Sequence, residues 1–429
     1  MTAFAVTGGR PLRGRLRVPG DKSISHRVLL LGALAEGTST ITGLAAGDDV
    51  ARTAAALRAL GAGVELVVAD RVAAATVDGG RGRLHPAGVP LDMGNSGTGM
   101  RLLAGVCASL PWTTTFTGDE SLGRRPMDRI AEPLRLMGAT VEGAGDRVCP
   151  PLVVGGGDLR GIDYRLPVPS AQVKGAVLLA GLGAEGDTVV REAVVTRAHT
   201  EELLVALGAD VEVGADHLST RVRASTLGPF RLDVPGDPSQ AAFWVVAACI
   251  TPGSDVVVEH VYVGRARAGF LDVLRRMGAR VDVVGNDDGT ADIHAAHGAL
   301  HGTDVGGAEV AGLIDEIPVL AVAAAVADGP STFSGAAELR VKETDRVDTL
   351  VSELTALGVA VEGRPDGLVL TGGSPPIGAP VRSHGDHRIA MAAAVAGMAA
   401  GAGTTRVDGW DAVATSYPGF EKDLERLCR

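Results

Sequence analysis

Several short stretches of the chain set cations and polar side chains at spacings suited to holding an anion. In Gly20-Asp21-Lys22-Ser23-Ile24-Ser25-His26-Arg27, Lys22 and Ser23 stand at an expected helix start. Arg27 follows Ser23 by one turn, so both can face one anionic group. In Arg340-Val341-Lys342-Glu343-Thr344-Asp345-Arg346, Lys342 and Arg346 are four apart and Glu343 and Arg346 three apart. On one helix start that spacing would gather two cations and a carboxylate. His384-Gly385-Asp386-His387-Arg388 and Arg124-Arg125-Pro126-Met127-Asp128 are of the same kind, the proline of the second suited to a first helical turn. Carboxylates set among cations can divide the giving and taking of protons when their surroundings differ. Taken singly, each stretch reads equally well as a solvated, salt-bridged turn, and the case for reading them together lies in the elements that carry them.

Those elements repeat. Six polar loops run straight into apolar helices, beginning near Gly20, Gly94, Pro169, Gly236, Ile314 and Gly385, at intervals of roughly seventy residues. Each offers capping residues before a run such as Val28-Leu29-Leu30-Leu31 or Ile389-Ala390-Met391-Ala392. A second marker keeps step: Leu57-Arg58-Ala59-Leu60-Gly61-Ala62 recurs as Leu134 to Ala139, Leu203 to Ala209, Leu274 to Ala279 and, more loosely, Leu354 to Gly358. A Val-rich alternating stretch follows, which predicts a helix closed by a C-terminal glycine and then a strand. The sequence therefore predicts a unit of helix, strand, helix and strands used six times. Six helix N-termini, with unpaired N–H groups and positive dipole ends, suit a multiply anionic ligand.

Composition narrows the class. A chain of 429 residues exceeds one ordinary core, and two domains of about 200 residues each are expected. No long apolar run and no charged-then-apolar leader occurs, so a soluble cytoplasmic protein is expected. Cys107, Cys149, Cys249 and Cys428 are scattered without a CxxC spacing, as expected of reduced thiols. A formal charge of −11 argues against a nucleic-acid surface. Lysine is rare: Lys22, Lys174, Lys342 and Lys422 are the four among 40 basic residues, and three lie in or beside polar motifs. Such a bias points to places where a compact ammonium is required.

Six motifs in order carry a resemblance over essentially the whole length. They are Pro19 through Arg27, Gly94-Asn95-Ser96-Gly97-Thr98-Gly99-Met100-Arg101, Pro169-Ser170-Ala171-Gln172-Val173-Lys174, Asp315-Glu316-Ile317-Pro318, Arg340 through Arg346, and Asp386 through Met391. With these the chain resembles the 3-phosphoshikimate 1-carboxyvinyltransferase (EPSP synthase) family of enolpyruvyl transferases. The resemblance implies a two-domain inside-out α/β barrel of six βαβαββ-type repeats, three per domain. Residues 1–20 and 235–429 would form one domain and 21–234 the other, with the active site in the cleft between them. It also implies transfer of the enolpyruvyl group of phosphoenolpyruvate to the 5-hydroxyl of shikimate 3-phosphate, in the shikimate pathway of aromatic amino-acid biosynthesis. Glyphosate would occupy the phosphoenolpyruvate pocket. Carried over by motif, Lys22, Ser23, Arg27, Ser170, Gln172, Thr196, Asp315 and Lys342 would bind shikimate 3-phosphate. Lys22, Gly97, Arg125, Gln172, Arg346 and Arg388 would bind phosphoenolpyruvate. Asp315, Glu343 and Lys22 would share the proton transfers. No cofactor, metal, nucleic acid or membrane partner is implied, and a monomer is expected.

Some positions depart from the family pattern. His199 stands where many relatives carry Tyr, Thr415 where they carry a Lys, and Leu102 where some carry a proline. His294, His297 and His301 have superficially metal-like spacing, with glycines interspersed. Two other readings compete: the sister enzyme acting on UDP-N-acetylglucosamine, and a non-catalytic scaffold of the same fold. Against the first, Gly118 through Arg125 lacks the cysteine that the sister family usually places before its Arg-Pro, and Ser23 and Arg27 follow Lys22. Against the second, Lys22, Arg125, Asp315, Glu343, Arg346 and Arg388 are all present.

Overall fold

The computed structural model describes residues 2–69 and 72–429. The chain divides into two compact units, Met1–Pro19 with Pro235–Arg429, and Gly20–Val234.

In each unit three helices with apolar residues on every side lie at the centre. In the Gly20–Val234 unit these are Lys22–Leu34, Gly97–Ala108 and Ala171–Gly181. In the other unit they are Pro238–Ile250, Ile317–Val326 and His387–Met398, which pack on one another. Every residue of Pro238–Ile250 is buried, as an all-round apolar helix requires. Close approach is enforced by small residues: a methyl group on Gly105 would stand 2.2 Å from the carbonyl oxygen of Ala176, so the two helices meet backbone to backbone. Cys107 and Cys249 sit on these helices, and burial pushes both thiols up to about 12, where the reactive thiolate is scarce.

Around the helices the strands form six open sheets among the described residues, five of four strands and one of three. None closes on itself, so the barrel implied by the resemblance is an arrangement of open sheets with helices inside. The second sheet shows the repeat: Leu91–Asp92 runs parallel to Thr113–Thr117 across the buried helix, and Thr140–Ala144 and Cys149–Gly155 add an antiparallel hairpin. Two sheets are completed from a distance. Arg231–Asp233 supplies the first strand beside Gly37–Ala45, and Arg13–Leu16 the first strand beside Asp255–Tyr262. The sixth repeat is abridged. It has no hairpin of its own, and Ala3–Thr7 pairs with Thr404–Asp408 in the place a hairpin strand takes elsewhere.

The recurring Leu-Gly marker closes the second, amphipathic helix of five repeats. Gly61, Gly138, Gly208, Gly278 and Gly358 all have positive φ. In each, the glycine N–H and the next N–H fold back onto the last turn, as in Gly61 to Arg58 and Ala62 to Leu57. This paired stop needs a left-handed residue, which explains the glycine.

Candidate active site

The buried helices start at the six polar loops, and five of the six starts are capped by a side chain: Asp21, Ser96, Ser170, Asp237 and Asp386. The fifth loop departs. Ile317–Val326 has no side-chain cap, and the Asp315 carboxylate points to Arg346 Nη1 at 3.3 Å and Arg388 Nε at 3.6 Å. A site that breaks the local rule shared by its five counterparts is a candidate for function.

Around Asp315 gathers a dense ionic group. Arg346 opens the helix Arg346–Ala356, and its side chain is only 1% exposed. Its Nε donates to Asp386 Oδ2 at 2.7 Å and its Nη2 to Glu343 Oε2 at 2.7 Å. Burial alone would lower its pKa, yet Asp386, Glu343 and Asp315 together raise it above the ordinary arginine value. Arg388, on the first turn of His387–Met398, donates from Nη1 to the Asp315 carbonyl at 3.2 Å. Two guanidiniums thus face three carboxylates, with Asp386 holding one edge of Arg346 and Asp315 and Glu343 sharing the other. One sequence expectation fails here. Lys342 and Arg346 do not share a helix start: Lys342 follows the 3₁₀ turn Ala337–Val341, and its ammonium lies 3.8 Å from Glu338. The helix begins only after Asp345, which caps it by accepting from the Val347 and Asp348 N–H groups.

In the Gly20–Val234 unit the expected residues converge on two neighbouring groups. Lys22 opens its helix with the ammonium 3.0 Å from Asp49 Oδ2. One turn on, the buried Arg27 donates to the Ser23 carbonyl at 2.9 Å, Thr200 Oγ1 at 2.7 Å and the Ala171 carbonyl at 3.5 Å. These bonds draw the Ser23 turn, the helix start at Ser170 and the segment of Thr196 and His199 together. Thr196 is buried with its hydroxyl on Glu192, and the buried His199 imidazole lies 3.8 Å from Asp21. In the second group, Arg101 Nη1 donates to Gln172 Oε1 at 2.7 Å, and Gln172 Nε2 donates to Thr98 Oγ1 at 2.9 Å. Arg125 donates from Nη2 to Asn95 Oδ1 at 2.5 Å. A methyl group on Gly97 would stand 3.1 Å from Arg101 Nη1 and 3.3 Å from Arg125 Nη1. Pro126 lies ahead of the helix Asp128–Leu136 rather than in its first turn. Outside these groups, His294 pairs with Asp255 at 3.0 Å.

Among the bonding partners that the site assignment did not include are Asp49, Asn95, Arg101 and Asp386. The last three lie inside quoted motifs, but their bonds reach 30 residues to Arg125, 71 to Gln172 and 40 to Arg346.

The family model of EPSP synthase (3-phosphoshikimate 1-carboxyvinyltransferase) matches residues 6–424. The chain belongs to the EPSP synthase family. It is 49% identical over 435 residues to a 3-phosphoshikimate 1-carboxyvinyltransferase of Gloeobacter violaceus, covering 99% of each chain. To the enzyme of that name from Streptococcus equi subsp. zooepidemicus it is 45% identical over 426 residues, covering 98% of each. A solved EPSP synthase of Acinetobacter baumannii superposes with a TM-score of 0.86 at 40% identity, with 99% of this chain and 98% of that one covered.

His26, in the first of the polar loops, gives a pH prediction. Its imidazole is fully buried with Nδ1 2.8 Å from Thr53 Oγ1. Burial first, then the charges of Lys22 and Arg27, lower its pKa to about 3. The unfolded imidazole titrates near 6.5, so between pH 6.5 and about 3 the unfolded chain binds a proton that the fold refuses. Stability is present above pH 6.5 and is lost as pH falls, by about 2 kcal/mol at pH 5 from this group. Denaturant unfolding of His26→Asn at pH 7 and pH 5 should show a smaller difference than the native chain by that amount. Equal differences would remove His26 as the cause.

Proposed function

We infer that this chain transfers the enolpyruvyl group of phosphoenolpyruvate to the 5-hydroxyl of shikimate 3-phosphate, releasing phosphate. The observation that carries the reading is the Asp315–Glu343–Arg346–Arg388 group, in which proton-transfer carboxylates and anion-holding guanidiniums share bonds. Family membership supplies the reaction.

The chemistry is an addition followed by an elimination. The 5-hydroxyl oxygen bonds to C2 of phosphoenolpyruvate and loses its proton, while the methylene carbon gains one, giving a tetrahedral ketal phosphate. The methyl carbon then loses a proton as the C–O bond to phosphate breaks, restoring the vinyl group. Asp315 takes the hydroxyl proton, and Glu343, with Lys22, delivers one to carbon. Arg125, Arg346 and Arg388 hold phosphoenolpyruvate and meet the charge on the departing phosphate. Ser23, Arg27, Ser170, Gln172 and Thr196 hold shikimate 3-phosphate, with Asp315 and Lys342 at its ring hydroxyls. The working form is a monomer in the cytoplasm without metal or cofactor. Phosphorus NMR of both substrates with the purified chain is expected to show inorganic phosphate and a new phosphomonoester growing at equal rates. Phosphate without the second product would contradict the transfer.

Gly97→Ala tests the phosphoenolpyruvate loop. Its methyl group would crowd Arg101 Nη1 and Arg125 Nη1, so one or both must retreat. The Michaelis constant for phosphoenolpyruvate should rise about tenfold, the weakening of one charge-assisted hydrogen bond, and glyphosate should inhibit less. Affinity for shikimate 3-phosphate should change much less, because the crowding reaches its residues only indirectly, through the bond from Arg101 to Gln172. The opposite pattern would reassign the loop.

A further inference from the structure

Lys174 has no part in the chemistry above, yet it is among the most deeply buried charges in the chain. It lies on Ala171–Gly181, one turn beyond the Ser170 cap, with its side chain 2% exposed. Its ammonium donates to Glu192 Oε2 and to Glu201 Oε1, each at 2.7 Å. Both glutamates are buried too. Two desolvated carboxylates on one ammonium are costly to assemble, and a buried ion group is a weak device for stability alone.

The two glutamates bracket the segment that carries Thr196. Glu192 follows the strand Thr188–Arg191, and Glu201 lies in the first turn of His199–Ala206. Residues 193–198 between them are neither helix nor strand, so no regular backbone ladder fixes them. The other carboxylate oxygen of Glu192 accepts from the Thr196 hydroxyl. Thr200, next to Glu201, accepts from Arg27 Nε at 2.7 Å. The Arg27 guanidinium would also stand 3.1 Å from a methyl group on Gly175, the residue after Lys174. The ammonium therefore fixes both ends of an irregular segment, and that segment in turn orients one hydroxyl and one guanidinium.

We propose that Lys174 is a positioning residue for shikimate 3-phosphate: through Glu192 and Glu201 it holds the segment that sets Thr196 and Arg27. The proposal rests on the reading that Thr196 and Arg27 face that substrate. Lys174 itself touches no substrate, and the phosphoenolpyruvate residues Gly97 and Arg125 bond to a different set of partners. The expected signature is therefore selective between the two substrates.

Steady-state kinetics of the full chain carrying Lys174→Met should give a Michaelis constant for shikimate 3-phosphate raised about tenfold or more, as for the loss of a charge-assisted hydrogen bond. The constant for phosphoenolpyruvate should stay within about twofold, since its partners are untouched. An unchanged shikimate 3-phosphate constant overturns the proposal. So does an equal rise for both substrates, which is the mark of general loosening. Should Lys174→Met fail to fold, Glu192→Gln decides by the same two constants, since it keeps the volume and removes the charge that Lys174 and Thr196 share. Thr196→Val, measured alongside, separates the proposal from the reading beneath it. A normal shikimate 3-phosphate constant in Thr196→Val refutes the role given to Thr196. The Lys174 and Glu192 variants still decide whether the segment is held for that substrate through Arg27.

Discussion

Asp315→Asn should lower turnover by roughly 10²–10⁴-fold, the range for losing a general acid–base group, while shikimate 3-phosphate still binds nearly normally. The amide keeps the shape of the carboxylate and can still accept from Arg346 Nη1 at 3.3 Å, but it cannot take a proton. The fold should hardly notice, because Asp386 and Glu343 remain on Arg346 and the Asp315 carbonyl still accepts from Arg388. Stopped-flow phosphate release with both substrates saturating, beside equilibrium binding of shikimate 3-phosphate, checks both halves. Near-normal turnover would pass the proton acceptor's role to Glu343.

Arg346→Met should do greater damage, and of a different kind. Removing the guanidinium takes the Arg346 charge away from Asp386 and Glu343 in a place where the Arg346 side chain was 1% exposed. Breaking a buried ion pair from one side costs about 3–5 kcal/mol, so denaturant midpoints should fall sharply. Turnover should be lost together with stability. Arg346→Lys divides the two effects. An ammonium keeps the charge and should recover much of the stability, but it cannot reach Asp386 with one edge while presenting a flat fork to substrate with the other. Stability regained with turnover still absent is the expected result. A fully active Lys variant would mean that charge alone suffices at this position.

How much of this is legible in the sequence follows from the range of each interaction. Local chemistry was readable: caps at Asp21, Ser96, Ser170, Asp237 and Asp386 lie beside the helices they start, and Gly61 and its four counterparts stop helices within a few residues. The repeat, the buried helices and the arginines at their starts all follow from that. Lysine scarcity was a partial guide, since Lys22 and Lys174 each hold carboxylates while Lys422 is exposed on the last helix. What the sequence hid is pairing at long range. Nothing local says that Asp386 bonds Arg346, that Arg101 fixes the Gln172 amide, or that Lys174 joins Glu192 to Glu201. The abridged sixth repeat was hidden for the same reason: Ala3–Thr7 is a short strand whose partner lies at the other end of the chain. The spacing of Lys342 and Arg346 misleads because helical periodicity does not extend across the turn that separates them.

Phosphate release by the purified chain in the presence of a chelator tests the choice of acceptor most directly. With phosphoenolpyruvate and shikimate 3-phosphate, release should be fast and should depend on both substrates. Replacing the acceptor by UDP-N-acetylglucosamine should give none. Release with UDP-N-acetylglucosamine alone, or with neither acceptor, would contradict the account.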